Sequence, residues 1–203
     1  NSADGFPAQP TWILRTDLAH GACCADIDRD GYLDLIFGGH LSPDILIFRG
    51  GPDGFDTENP QRIRMERDGA IYDSPLWIYL ADLTNDGWLD LVVPQSKTDR
   101  SLILWGGPDG FSMDRCQLLS VWKGVSARAA DLTGNGWLDL IVGAAPPTLA
   151  TPHDCFVYIY WNGPDGLRED NRTLLPANAV LSVAVADFDN DGLLDLFVPS
   201  YSD

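Results

Sequence analysis

The sequence predicts an all-β protein built from a repeated strand unit, and three observations predict it. The segment "ADIDRDGYLDLIF" from Ala25 returns as "ADLTNDGWLDLVV" from Ala81, "ADLTGNGWLDLIV" from Ala130 and "ADFDNDGLLDLFV" from Ala186, so the first Asp of each copy falls at 26, 82, 131 and 187. A second marker keeps step: "GGPDGF" from Gly50 and again from Gly106, "NGPDGL" from Asn162, and a worn copy, "NSADGF", at the start. Between the markers stand short apolar runs rich in β-branched and aromatic residues, bounded by Gly, Pro and Asp, with no sustained 3.6-residue period that would call for a helix. Self-similarity at a spacing of roughly fifty residues marks an array whose units bury their apolar faces only by stacking on one another.

Each unit reads in the same order. Small residues lead into the Asp-rich loop ("GACCA", "WIYLA", "ARAA", "VAVA") and an apolar strand leaves it ("LDLIFGG", "LDLVVP", "LDLIVG", "LDLFVP"). A third β-rich run follows ("DILIFRG", "SLILWG", "FVYIYW"), and after the GPDG marker comes a more mixed outer run ("QRIRMER", "CQLLSVW", "RTLLPA", with "TWILRT" at the start). GPDG has turn chemistry at every place: Pro pre-sets φ for a type I turn, Asp suits the third position, and Gly takes the left-handed position of a bulge. Four strands per roughly fifty residues is the unit of a β-propeller blade. The residues Ala22, Ala25, Ala81, Ala127, Ala129, Ala130, Ala184 and Ala186 suit an inner strand, where blades converge. The units span 1–17 (an outer strand only), 18–67, 68–123, 124–176 and 177–203, the last stopping after its second strand. About four antiparallel four-stranded blades are expected. The missing third strand favours a segment of a seven- or eight-bladed ring over a closed four-bladed ring with a defective seam or one ring shared by two chains.

The Asp-rich loop is the chemically loaded part. An EF-hand needs Glu at position twelve and helices on both sides, whereas position twelve here holds Phe37, Val93, Val142 and Val198 between strands. What remains is a nine-residue D-x-D-x-D-G-x-x-D loop in which positions one, three, five and nine offer side-chain oxygens, position seven a backbone carbonyl, and Gly at six the sharp turn. Hard oxygen donors on a flexible loop point to calcium rather than zinc or copper. The first loop (Asp26, Asp28, Asp30, Asp34) and the fourth (Asp187, Asp189, Asp191, Asp195) carry four carboxylates. The second carries three, with Thr84 beside Asp82, Asp86 and Asp90, and the third two, Asp131 and Asp139, with Thr133 and Asn135. An oxygen survives at every position while charge falls, so three to four ions are expected. The alternative is a hydrogen-bonded loop without metal.

With "FGG" after the first loop and "VGAA" after the third, these residues resemble the FG-GAP repeat family, also called VCBS repeats in bacteria, whose repeat forms the seven-bladed head of integrin α subunits. The resemblance spans the whole chain. It implies a calcium-binding propeller, extracellular or at the cell surface, often appended to adhesins, lectins or polysaccharide-degrading enzymes. The ligands it implies are the Asp, Thr and Asn positions above, with carbonyls from Tyr32, Trp88, Trp137 and Leu193. It fixes neither a ligand nor an activity.

Composition narrows the partners. A net charge of −17 argues against nucleic acid and anionic membrane, and no apolar run approaches the roughly 18 residues of a membrane helix. No signal peptide or initiator Met is visible, so the chain reads as a mature product or an excised fragment. Cys23, Cys24, Cys116 and Cys155 do not recur with the repeat. Buried free thiols are expected, with a Cys116–Cys155 bridge as the alternative.

Both irregularities of the repeat, in "ERDGAIYDSPL" (66–76) and "AAPPTLATPHD" (144–154), fall opposite the Asp loops, as do His20, His40 and His153. Function concentrates on such variable loops over a rigid scaffold. A ligand surface of Tyr72, Asp73, Trp77, Trp122, His153 and His40 is therefore expected, for a carbohydrate or an extracellular protein, with further blades of a parent chain or a second copy as a possible structural partner. No catalytic constellation breaks the repeat, and no G-x-S-x-G, HExxH or phosphate loop occurs. A non-catalytic binding or adhesion module is favoured over a polysaccharide lyase or hydrolase.

Overall fold

A computed structural model describes residues 7–40, 42–146 and 155–199. The first sheet is antiparallel and runs in chain order: β1 (Ala19–Ala25), β2 (Asp34–Gly39), β3 (Asp44–Phe48) and β4 (Gln61–Arg64). A small hairpin of β5 (Glu66–Arg67) and β6 (Ala70–Ile71) follows and occupies the first insertion. The second sheet holds β7 (Tyr79–Ala81), β8 (Asp90–Val93), β9 (Arg100–Leu104) and β10 (Cys116–Ser120); the third holds β11 (Gly124–Ala130), β12 (Asp139–Ala144), β13 (Cys155–Tyr160) and β14 (Arg172–Ala177). A fourth, two-stranded sheet pairs β15 (Ala184–Ala186) with β16 (Asp195–Phe197). Among the described residues there is no α-helix, only a single 3₁₀ turn at Met113–Arg115, as the absence of a helical period implies.

Stacking builds the core. Side chains alternate faces along a strand, so β8 sends Leu91 and Val93 to one cluster and Val92 to the next. The first cluster joins Ile36, Ile45 and Ile47 to Leu91, Leu102 and Leu104. The second joins Val92 and Ile103 to Leu140, Val142 and Tyr160, and the third joins Ile141, Val157 and Ile159 to Val180 and Val183. Central strands buried on both faces explain the unbroken apolar runs "DLVV" and "DLIVGA". The fourth sheet is covered on one face only: Phe188 and Phe197 pack edge-on at 6.2 Å and are both more than half exposed.

The run 11–16, expected as an outer strand, makes no ladder. A strand is held by its hydrogen-bonded neighbour, and no third strand of the fourth sheet stands beside it among the described residues. Trp12 packs instead on Phe55 at the first sheet's turn, 6.1 Å between ring centroids. The GPDG turns form as expected: Gly54, Gly110 and Gly166 have positive φ and donate back to Gly51, Gly107 and Gly163 at 2.9–3.0 Å. The four cysteines are free thiols. Cys116 accepts from Arg67, while the Cys155 thiol donates to the Ala177 carbonyl at 3.1 Å, so the alternative Cys116–Cys155 bridge is not formed.

Candidate metal centres

The four Asp-rich loops share one hydrogen-bonded scaffold. The residue before each loop pairs with its ninth position across the two inner strands: Ala25 with Asp34, Ala81 with Asp90, Ala130 with Asp139, Ala186 with Asp195. The ninth carboxylate then accepts from the second position's N–H, namely Ile27, Leu83, Leu132 and Phe188, at 2.9–3.1 Å. In the three complete sheets its other oxygen accepts from the N–H that opens the GPDG turn, Gly50, Gly106 or Asn162, at 2.8–2.9 Å. Loop and turn are therefore fastened at the same end of each sheet. The first carboxylate takes the N–H groups of positions five and six, as Asp26 does from Asp30 and Gly31 and Asp187 from Asp191 and Gly192. The fifth side chain takes the N–H of position seven, reaching Tyr32, Trp88, Trp137 and Leu193 at 2.8 Å. Gly31, Gly87, Gly136 and Gly192 sit at φ of 84–92°, where a side chain would be strained.

Charge separates loops that geometry makes alike. In the first loop Asp26, Asp28 and Asp34, and in the fourth Asp187, Asp189 and Asp195, bring carboxylate oxygens within 4.8 Å of one another. Such groups of hard oxygens can hold a metal ion, and their donor chemistry fits a divalent cation of the calcium class. Each oxygen has two lone pairs, so the backbone bonds do not exhaust it. Positions one, three and nine gather in this way; Asp30 and Asp191, at position five, stand outside the group. In the second and third loops Thr84 and Thr133 occupy position three, and Asp82, Asp86, Asp131 and Asn135 keep their backbone roles. Burial pushes the Asp90 carboxyl up to about 6 against the pull of the Gly106 and Leu83 N–H groups, and it raises Asp139 in the same way.

Sequence reading missed the residues that compensate charge. Arg49 bridges Asp28 and Asp34 at 3.2 Å to each, whereas Trp105 and Trp161 hold its place in the next two units. The third loop is stitched by amides instead: buried Asn162 donates to the carbonyls of Leu83 and Leu138 at 2.8 and 2.9 Å, and Asn135 donates to the Asn162 carbonyl at 3.0 Å. Neighbouring loops are also clasped together. Position four is left-handed in each loop, and its side chain reaches the next loop's glycine carbonyl, Arg29 to Gly87 and Asn85 to Gly136. Arg29 also lies 4.0 Å above the Trp88 ring. Gly134 breaks this chain, having no side chain to extend. The departures from the repeat at Arg49 and Asn162 were the available signals, but neither looked like ligand chemistry.

The residues expected to form a ligand surface have different surroundings. Tyr72 is buried in the first core cluster, and Asp73 is ion-paired with Lys97 at 2.8 Å. Trp77 and Trp122 are exposed, and His40 packs edge-on against His20, which in turn meets Trp77. His153 lies outside the described residues.

Sheets of this order, joined through Asp-rich loops at one end, define a repeat protein of stacked antiparallel sheets. The chain belongs to the FG-GAP-like repeat family, whose model matches residues 26–93, 82–142 and 145–198. No curated protein matches it by sequence. Among solved structures it is similar to the V. cholerae biofilm matrix protein Bap1, with TM-score 0.54 and 16% identity over 92% of this chain and 30% of that one. It is also similar to BBS1N, solved in complex with ARL6DN and soaked with lead, with TM-score 0.52 and 15% identity over 95% of this chain and 50% of that one. At these identities the likeness concerns the fold, and the chain spans at most half the length of either structure.

Proposed function

We propose that this chain is part of a calcium-stabilised β-propeller that serves as an extracellular binding or adhesion module. The observation that carries the reading is the carboxylate trio of the first and fourth loops, set on a scaffold that all four loops share. Calcium would be held by positions one, three, five and nine with the carbonyl of position seven, most tightly at Asp187, Asp189, Asp191, Leu193 and Asp195, where no arginine balances the charge. Asp26, Asp28, Asp30, Tyr32 and Asp34 follow. The second loop (Asp82, Thr84, Asp86, Trp88, Asp90) and the third (Asp131, Thr133, Asn135, Trp137, Asp139) bind more weakly as carboxylates give way to Thr and Asn. The ion supplies positive charge that ties the inner strand of each sheet to the second.

Two features support a ring that continues past the fourth sheet: the open Phe188–Phe197 face, and Asn190. The latter holds the left-handed clasp position but has no partner among the described residues. Four units fit a seven- or eight-bladed ring. The matrix protein among the similar folds and the family membership favour an extracellular setting, with a carbohydrate or a protein as ligand. Thermal melting in calcium and in chelator tests the core of this reading. A melting point raised by calcium and lowered by chelator supports it, and identical curves overturn it.

A further inference from the structure

The inner strands border a groove that meets the metal loops only at Leu194, a residue to which no ligand role is given. One cavity of about 360 Å³ is lined by Gly21 and Ala22 of β1, Trp77 and Ile78, Ser126 to Arg128 of β11, and Leu181 and Ser182. A second, of about 430 Å³, adjoins it between Tyr79, β11, β15 and Leu194. Both fall in the range of small-ligand pockets. Arg128 lines both, and among the described residues it is the one charged residue in either wall.

That arginine is anomalous for its surroundings. The chain carries 30 acidic and 13 basic residues, yet among the described residues no carboxylate pairs with Arg128. Its guanidinium donates to the Ala127 carbonyl at 2.7 Å and lies 5.6 Å from the Tyr79 ring centroid. Five N–H donors in a planar fork leave most of its capacity unspent. Trp77 supplies the second element. It is 46% exposed, and the chain that carries it is pressed onto β1 and β2: a side chain on Gly21 of β1 would collide with the Leu76 carbonyl, and one on Gly38 of β2 with that of Pro75. The third element is a hydroxyl group. Ser182 lines both cavities.

We propose that this groove binds a uronic-acid sugar, with Arg128 holding the carboxylate and Trp77 the apolar face of the ring. A guanidinium fork matches a carboxylate in two parallel hydrogen bonds. An exposed indole offers the flat apolar surface against which a pyranose ring packs, and Ser182 takes a ring hydroxyl. The protein's negative charge does not forbid an acidic ligand here, because among the described residues neither wall contains an Asp or Glu and exposed charges farther than about 8 Å are screened at physiological salt. The proposal gives a ligand class to the binding module proposed above and rests on that reading.

Calorimetry of the calcium-loaded chain with trigalacturonate tests it, with the methyl ester of the same oligomer and hexaglutamate as controls. Binding of the free acid, loss of binding to the ester, and a weakening of roughly tenfold or more in both Arg128→Gln and Trp77→Ala support the proposal. Melting curves that remain calcium-dependent in both variants show that they are folded. Equal binding of ester and acid, undiminished binding by Arg128→Gln, or tighter binding of hexaglutamate overturns it. So does no binding of the acid at all, while a calcium-dependent melting point would leave the metal-centre reading standing.

Discussion

The third and fourth Asp loops have the same backbone and differ in charge, two carboxylates against four. In each, the first and ninth carboxylates and the fifth side chain collect the N–H groups of positions two, five, six and seven. The fourth crowds Asp187, Asp189 and Asp195 within 4.8 Å with no arginine among them. The third replaces position three with Thr133 and ties itself down with the amides of Asn135 and Asn162. Loop shape is thus a backbone property that survives loss of charge, and the carboxylate trio that could hold a cation is a separate property, completed by position three. The first loop lies between the two, keeping the carboxylates but admitting Arg49.

The largest effect should come from the shared scaffold. Asp34→Ala and Asp139→Ala each remove the acceptor of two N–H groups. At about 1–3 kcal/mol for each group left unpaired, either substitution should cost roughly 2–6 kcal/mol in urea unfolding. A large loss in the first loop and none in the third would break the equivalence of their scaffolds. Next comes the cation. Each occupied site should add about 2.7 kcal/mol at a hundredfold calcium excess over Kd. Thr133→Asp should therefore tighten the third loop's weak calcium binding, seen as an added tight site in calorimetry. A smaller effect belongs to the clasps. Asn85→Ala should cost about 1–2 kcal/mol through a lost hydrogen bond and a left-handed alanine. Gly134→Asn should restore the missing clasp and gain about 0.5 kcal/mol or less, since Asn tolerates that backbone region.

The smallest expected change is a control on the inner strand. Burial raises the Cys23 thiol to about 11, where it donates to the Ile78 carbonyl, while Cys24 beside it is exposed. A raised thiol pKa favours the folded state below the ordinary value near 9, and that contribution is lost as pH rises through 11. At about pH 8, iodoacetamide should label Cys24 and spare Cys23, with calcium or with chelator. Fast labelling of Cys23 would show that the inner strand opens.

The repeat made much of this legible. Alternating Asp at fixed spacing marks a loop, and unbroken apolar runs mark strands buried on both faces, because both patterns are local. What the sequence concealed depends on neighbours that only stacking supplies. Arg49 and Arg29 read as ordinary surface charges until the adjacent loop is in place, and Asn162 reads as a turn residue until its amide meets Leu83, far away in the chain. Tyr72 looked like a ligand contact because its segment is inserted, yet the β5–β6 hairpin folds it into the first core cluster. The run 11–16 has strand composition but no neighbour to pair with among the described residues.

The most direct test is a calcium titration of the wild-type chain beside the double variant Asp28→Thr, Asp189→Thr, which gives the first and fourth loops the residue the second and third already carry. The tightest two sites should vanish, while the melting point in chelator holds or rises as carboxylate repulsion is relieved. An unchanged number of tight sites, or a collapse of the fold in chelator, would contradict the separation of loop shape from cation demand.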